Sequence, residues 1–183
     1  MRVFVCLVAL LMILSQALGQ DYRPQGGETD LKLEIEGRGN IYIKLYTKLA
    51  PKTTSHIIKL ANQGFYNGQR FHRVERRPKP YLVWFGDPLT KTLDLDDPQI
   101  GSGGSGTRIP FEDTNLSHEE GAVGLARALS DRDSGDSQFY LVLEPAKFLD
   151  GNYTVFGKVV SGLDIMHRLE KGDLVVSVTV VKG

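Results

Sequence analysis

Apolar and polar residues alternate with a period of two in neighbouring stretches of this chain: Leu31, Leu33 and Ile35, then Ile41, Ile43 and Leu45. A strand turns successive side chains to opposite faces, so the pattern predicts two half-buried strands joined by a turn at Gly37-Arg38-Gly39-Asn40. Apolar stretches at 81–85, 121–126, 138–143, 153–160 and 174–181 supply further strands. Pro51 opens the segment that runs to Asn62, where Ile57, Ile58, Leu60 and Ala61 gather on one face before Gly64, and an amphipathic helix is predicted there. Asp164 to Glu170 is a second helix candidate. Two helices with about eight strands predict a mainly β fold, a closed barrel with helices over its ends.

The first residues read differently. Arg2 precedes the unbroken apolar run Val3 to Leu14, and Ala17 and Gly19 follow. The run is well short of the roughly 20 residues that cross a bilayer, and the layout is that of a secretory signal peptide removed after Gly19. Export to the periplasm or medium is therefore expected, with no stable membrane insertion after cleavage. Residues 20–30 are polar and turn-rich and read as a flexible tether to a single domain at 31–183. Cys6, the only cysteine, lies in the segment expected to leave, so no disulfide supports the core. Lysine plus arginine and aspartate plus glutamate number 22 each, and this balance gives no sign of nucleic-acid binding. His56, His72, His118 and His167 lack metal-ligand spacing and read as structural or surface histidines. Ile100 to Gly106 reads as a flexible glycine-serine loop, and Arg76-Arg-Pro-Lys-Pro80 as a basic, proline-stiffened loop.

The chemistry-bearing signal is a series of fragments in fixed order: Gly64-Phe-Tyr-Asn-Gly-Gln-Arg-Phe-His-Arg-Val74, Gly86-Asp-Pro88, Ile109-Pro-Phe-Glu112, Gly124-Leu-Ala-Arg127, Ser137-Gln-Phe-Tyr140, Phe148-Leu-Asp-Gly151 and Val155-Phe-Gly-Lys-Val159. Each is weak alone, but together they resemble the cyclophilin-type peptidyl-prolyl isomerases, bacterial members above all. The resemblance implies a closed eight-stranded antiparallel barrel capped by two α-helices, with the active groove on its outer face. It implies a monomer that acts on proline-containing protein or peptide segments, with no cofactor and no metal.

Rotation about an X-Pro amide meets a barrier of about 18–20 kcal/mol from resonance. Twisting restores the lone pair of the prolyl nitrogen, so a fixed donor aimed there favours the twisted state over both planar ones. By resemblance Arg73 is that donor and Gln138 holds the peptide on the other side of the bond, helped by the backbone at Ala126 and Arg127. Tyr81, Leu82, Tyr140 and Leu149 form an apolar socket for the proline ring. Phe148 stands where eukaryotic members carry tryptophan, and Tyr153 where they carry histidine. Trp84 takes the place of a glutamine beside the arginine, and the stretch from Arg73 to Tyr81 is a few residues longer than usual. The cations of that stretch are expected to border the groove and to favour acidic clients. Two other readings are open: a proline-peptide binding or chaperone module with little turnover, which Trp84 favours, and a hydrolase using Ser137 or Ser102, for which no Gly-x-Ser-x-Gly elbow exists.

Overall fold

A computed structural model describes residues 22–78 and 81–183; the expected signal peptide lies outside the described residues, as do Lys79 and Pro80. The alternating segments form the hairpin of β1 (Thr29–Ile35) and β2 (Gly39–Leu45), closed one residue earlier than the sequence implies, with Ile35 opposite Gly39. Helix α1 spans Pro51–Asn62. Its capping residue, Ala50, offers no side-chain acceptor; the carboxylate of Glu112 takes the Lys52 and Thr53 N–H groups instead, at 2.9 and 2.8 Å. An acceptor there satisfies two of the orphan donors and meets the positive end of the helix dipole. The order continues with β3 (Arg73–Glu75), β4 (Leu82–Phe85), β5 (Ala122–Leu125), β6 (Phe139–Val142), β7 (Val155–Ser161), α2 (Leu163–His167) and β8 (Val175–Lys182).

All eight strands lie in one curled antiparallel sheet, ordered β3-β4-β6-β5-β7-β2-β1-β8. The closed barrel expected from the sequence is corrected here: β3 and β8 are edges with no ladder between them. The chain entering β3 turns at Gly64 and Gly68, and among the described residues the seam holds a lone bridge, Arg70 to Leu174, and scattered backbone bonds such as Gly68 N–H to Val175 O at 2.8 Å and Phe71 N–H to Asp173 O at 3.0 Å. Helix α2 is also shorter than the 164–170 expected, because the chain leaves it at Arg168 to bury Leu169 in the core.

The pleat sorts side chains into two clusters. Inside the curl lie Leu31, Leu33, Ile41, Ile43, Val83, Phe85, Val123, Phe139, Leu141 and Phe156 with the apolar face of α1. The alternate positions of β4, β5 and β6 face outward, where Leu82, Ala122, Tyr140 and Val142 form a second cluster joined by Tyr81, Trp84, Leu149 and Tyr153. Strands β4, β5 and β6 are thus apolar on both faces, which explains their unbroken hydrophobic runs. Before Thr29 the chain is already anchored: the Tyr22 ring lies 4.9 Å from Tyr42 and its hydroxyl donates to Asp30.

Candidate functional site

The outer cluster and its borders carry every residue singled out for binding. Strand register sets them in a row: Arg73 on β3 faces Trp84 on β4, Trp84 faces Tyr140 on β6, and Tyr140 faces Gly124 on β5. Arg73 projects into solvent, its side chain 59% exposed, with the guanidinium 5.3 Å from the Trp84 ring centre and an ion pair to Glu75. The guanidinium has five N–H donors, so the pair with Glu75 leaves others free. Trp84 and Tyr140 meet as tilted rings 5.1 Å apart. Gly124 permits that packing, since a Cβ there would stand 2.3 Å from the Tyr140 ring.

The residues expected to form a socket lie together, with Leu82 and Tyr140 buried at 4% and 1% exposure. Tyr81, Leu82, Tyr140 and Leu149 belong to the same cluster, Phe148 stands edge-on to Tyr81 at 5.7 Å with 67% of its surface exposed, and Tyr153 stands edge-on to Tyr140 at 6.0 Å. Arg127 lies 4.5 Å from the Tyr153 ring centre and is held by the carbonyls of Asn152, Ala128 and Leu129. Beyond Trp84 opens a cavity of about 600 Å³, lined by the 101–106 loop, Ala126, Arg127, Asp136 and Gln138. Trp84 therefore divides the aromatic patch from the cavity, with its indole Nε1 buried and unpartnered.

Gln138, expected to hold peptide, gives its amide hydrogens to the carbonyls of Gly101 and Gly103, at 3.0 and 2.7 Å, and keeps its amide oxygen as an acceptor. The glycine-serine loop is correspondingly tied down. Asp87, fully buried, accepts the N–H groups of Leu89 and Gly101 at 2.8 and 2.5 Å, and Asp136 accepts that of Gly106 at 2.9 Å. Gly86 has φ +100° and a Cβ there would strike the Ser137 carbonyl at 2.4 Å, while Asp87 anchors the loop. In the basic loop, Arg76 turns away from the groove and donates to the carbonyls of His167 and Leu169, at 2.8 and 2.7 Å.

The hydrolase candidates fail on geometry. Ser137 is buried and donates to the Gly86 carbonyl, and Ser102 donates to that of Gln99. Ser105, His56 and Asp136 do meet, but serine and aspartate share the same nitrogen, Nε2, whereas a proton relay needs them on opposite nitrogens. Sequence reasoning missed Asp87, Glu112, Asp150 and His118. The first three lie inside the quoted fragments, but nothing in the sequence marked His118, which is fully buried. Burial holds its imidazole below the ordinary histidine range, against the pull of Asp150, and so favours the neutral ring.

Residues 30–182 match the family model of the cyclophilin type peptidyl-prolyl cis-trans isomerases, and this chain belongs to that family. It is 38% identical over 146 residues to peptidyl-prolyl cis-trans isomerase B of Bacillus subtilis, covering 80% of this chain and 94% of that protein. It is 37% identical over 145 residues to the peptidyl-prolyl cis-trans isomerase of Helicobacter pylori, covering 77% and 80%. The fold is also similar to a cyclophilin of Cryptosporidium parvum solved in the presence of the dipeptide Ala-Pro, with TM-score 0.72, 19% identity, and 84% and 99% of the two chains covered.

Proposed function

We propose that the chain is an exported prolyl isomerase working by non-covalent stabilisation of the twisted X-Pro amide, with Arg73 as donor and the Tyr81, Leu82, Tyr140 and Leu149 patch as proline socket. The observation that carries this reading is the cross-strand row from Arg73 to Gly124, which sets an always-charged, solvent-facing guanidinium at the rim of a dry aromatic floor. A proline ring offers apolar surface and no amide hydrogen, so such a floor suits it. Rotation frees the nitrogen lone pair, and a donor of Arg73 not taken by Glu75 meets it there. The Ala-Pro dipeptide present with the Cryptosporidium parvum relative supports proline-containing segments as the ligand.

The alternative, a proline-binding module with little turnover, draws support from Trp84 and from the commitment of the Gln138 hydrogens to the loop. A protease-coupled proline assay on residues 20–183 separates the two. Acceleration of isomerisation supports the enzyme, and saturable peptide binding without acceleration supports the module.

Trp84 tunes that balance. Its indole donates one hydrogen bond and accepts none, while its ring adds apolar area beside Arg73 and Tyr140. Trp84→Gln is expected to raise kcat several-fold and to weaken ground-state binding, a change on the order of one hydrogen bond. A destabilised variant with no gain in turnover contradicts this role.

The proposed export rests on Arg2, the apolar run and the small residues Ala17 and Gly19. N-terminal sequencing of secreted material is expected to begin at Gln20. Recovery of the intact Met1 chain in the membrane contradicts it.

A further inference from the structure

His118 takes no part in the mechanism above, yet both of its ring nitrogens are engaged. Nδ1 lies 2.7 Å from Asp150 Oδ1, which also accepts the His118 backbone N–H at 2.8 Å. Nε2 lies 2.9 Å from the Tyr140 hydroxyl. An ionised carboxylate only accepts, so Nδ1 carries the proton, and in the neutral ring Nε2 is then the acceptor for the phenol hydroxyl. The His118 carbonyl accepts the Ala146 N–H at 2.8 Å, while the other Asp150 oxygen accepts the Ser117 hydroxyl at 2.7 Å. Ala146 and Asp150 bracket the short 3-10 turn Lys147–Leu149 that carries Phe148 and Leu149. One residue thus grips the floor of the socket and both ends of its far wall.

We propose that His118 is a positioning residue of the proline socket, fixing the Tyr140 ring through its hydroxyl and the Phe148-Leu149 turn through Asp150. Beneath the Tyr140 ring Gly124 presents no Cβ, and the ring's neighbours Trp84 and Tyr153 are flat faces and edges at 5.1 and 6.0 Å. Such contacts enclose the ring without a directional bond, whereas the hydrogen bond at the far end of the phenol fixes its angle. The neutral, acceptor state of Nε2 is what burial of the imidazole favours. The inference rests on the reading of this patch as a proline site.

Two substitutions divide the two grips. An asparagine amide overlays the Nδ1 side of the ring and retains the link to Asp150, whereas a glutamine amide reaches the Nε2 position and retains an acceptor for Tyr140. Binding of an Ala-Pro peptide can be followed by fluorescence, because Trp84 is the only tryptophan and lies in the site; KM, kcat and melting temperature are read alongside. His118→Asn is expected to weaken affinity and raise KM about fivefold, with kcat within about twofold, the size expected for one hydrogen bond. His118→Gln is expected to remain within about twofold of the unaltered protein. Tyr140→Phe, which removes only the hydroxyl, should reproduce the His118→Asn loss, and the double variant should lose no more than either single one. Equal losses in both His118 variants that track melting temperature would show a purely structural histidine and overturn the proposal, as would unchanged affinity in His118→Asn and Tyr140→Phe. An unaltered protein that binds peptide without turnover would sink the isomerase reading, and the affinities would still judge His118. Absence of any binding overturns both.

Discussion

Arg73→Ala is expected to lower kcat/KM at least tenfold, about 1.4 kcal/mol of transition-state stabilisation, with the melting temperature unchanged. The side chain is 59% exposed and its partners are the half-exposed Glu75 and the outer face of Trp84. Exposed ion pairs of this kind add little to stability, so the loss belongs to catalysis. Peptide affinity should fall less than turnover, because the donor meets the prolyl nitrogen strongly only when the amide is twisted. A variant with full turnover and unchanged melting temperature would exclude Arg73 from the reaction.

Gly124→Ala is expected to damage the site and the fold together. The new Cβ would stand 2.3 to 2.5 Å from three atoms of Tyr140, whose ring is 1% exposed and hemmed in by Trp84, Tyr153 and His118. Overpacking of this kind costs roughly 1–3 kcal/mol, a fall in melting temperature of roughly 2–12 °C for a domain of this size. A ring displaced from Gly124 moves towards Trp84 and distorts the patch proposed to hold proline, so KM should rise several-fold beyond what the stability loss explains. Thermal unfolding and steady-state kinetics on the same sample check both. A variant of unchanged stability and KM would show that Tyr140 is not the socket floor.

Local pattern made much of this molecule legible. The period of two defined β1 and β2, Pro51 and Gly64 bounded α1, and the double-sided apolar runs marked the strands that carry the site. The pleat then sets Trp84 outward, because Val83 and Phe85 must face the core. What escaped the sequence was long-range pairing. Ile100 to Gly106 has a linker's composition, yet Asp87, Asp136 and Gln138, distant along the chain, fix its backbone groups. Composition reports the entropy a loop must lose and not the partners that offset it. The open seam escaped for a similar reason: β3 contributes Arg73–Glu75 to the ladder, too short a strand to pair with β8 as well. His118 is an isolated histidine in the chain and becomes part of a network only when β6 and the 147–149 turn are brought beside it.

The most direct test of the account is NMR exchange spectroscopy on an Ala-Pro peptide with residues 20–183 at catalytic concentration, which reads binding and cis-trans exchange in one sample. The account predicts exchange in seconds or faster, rising in proportion to protein concentration, against tens to hundreds of seconds without it. Peptide signals that shift on binding while exchange keeps its uncatalysed rate would contradict it.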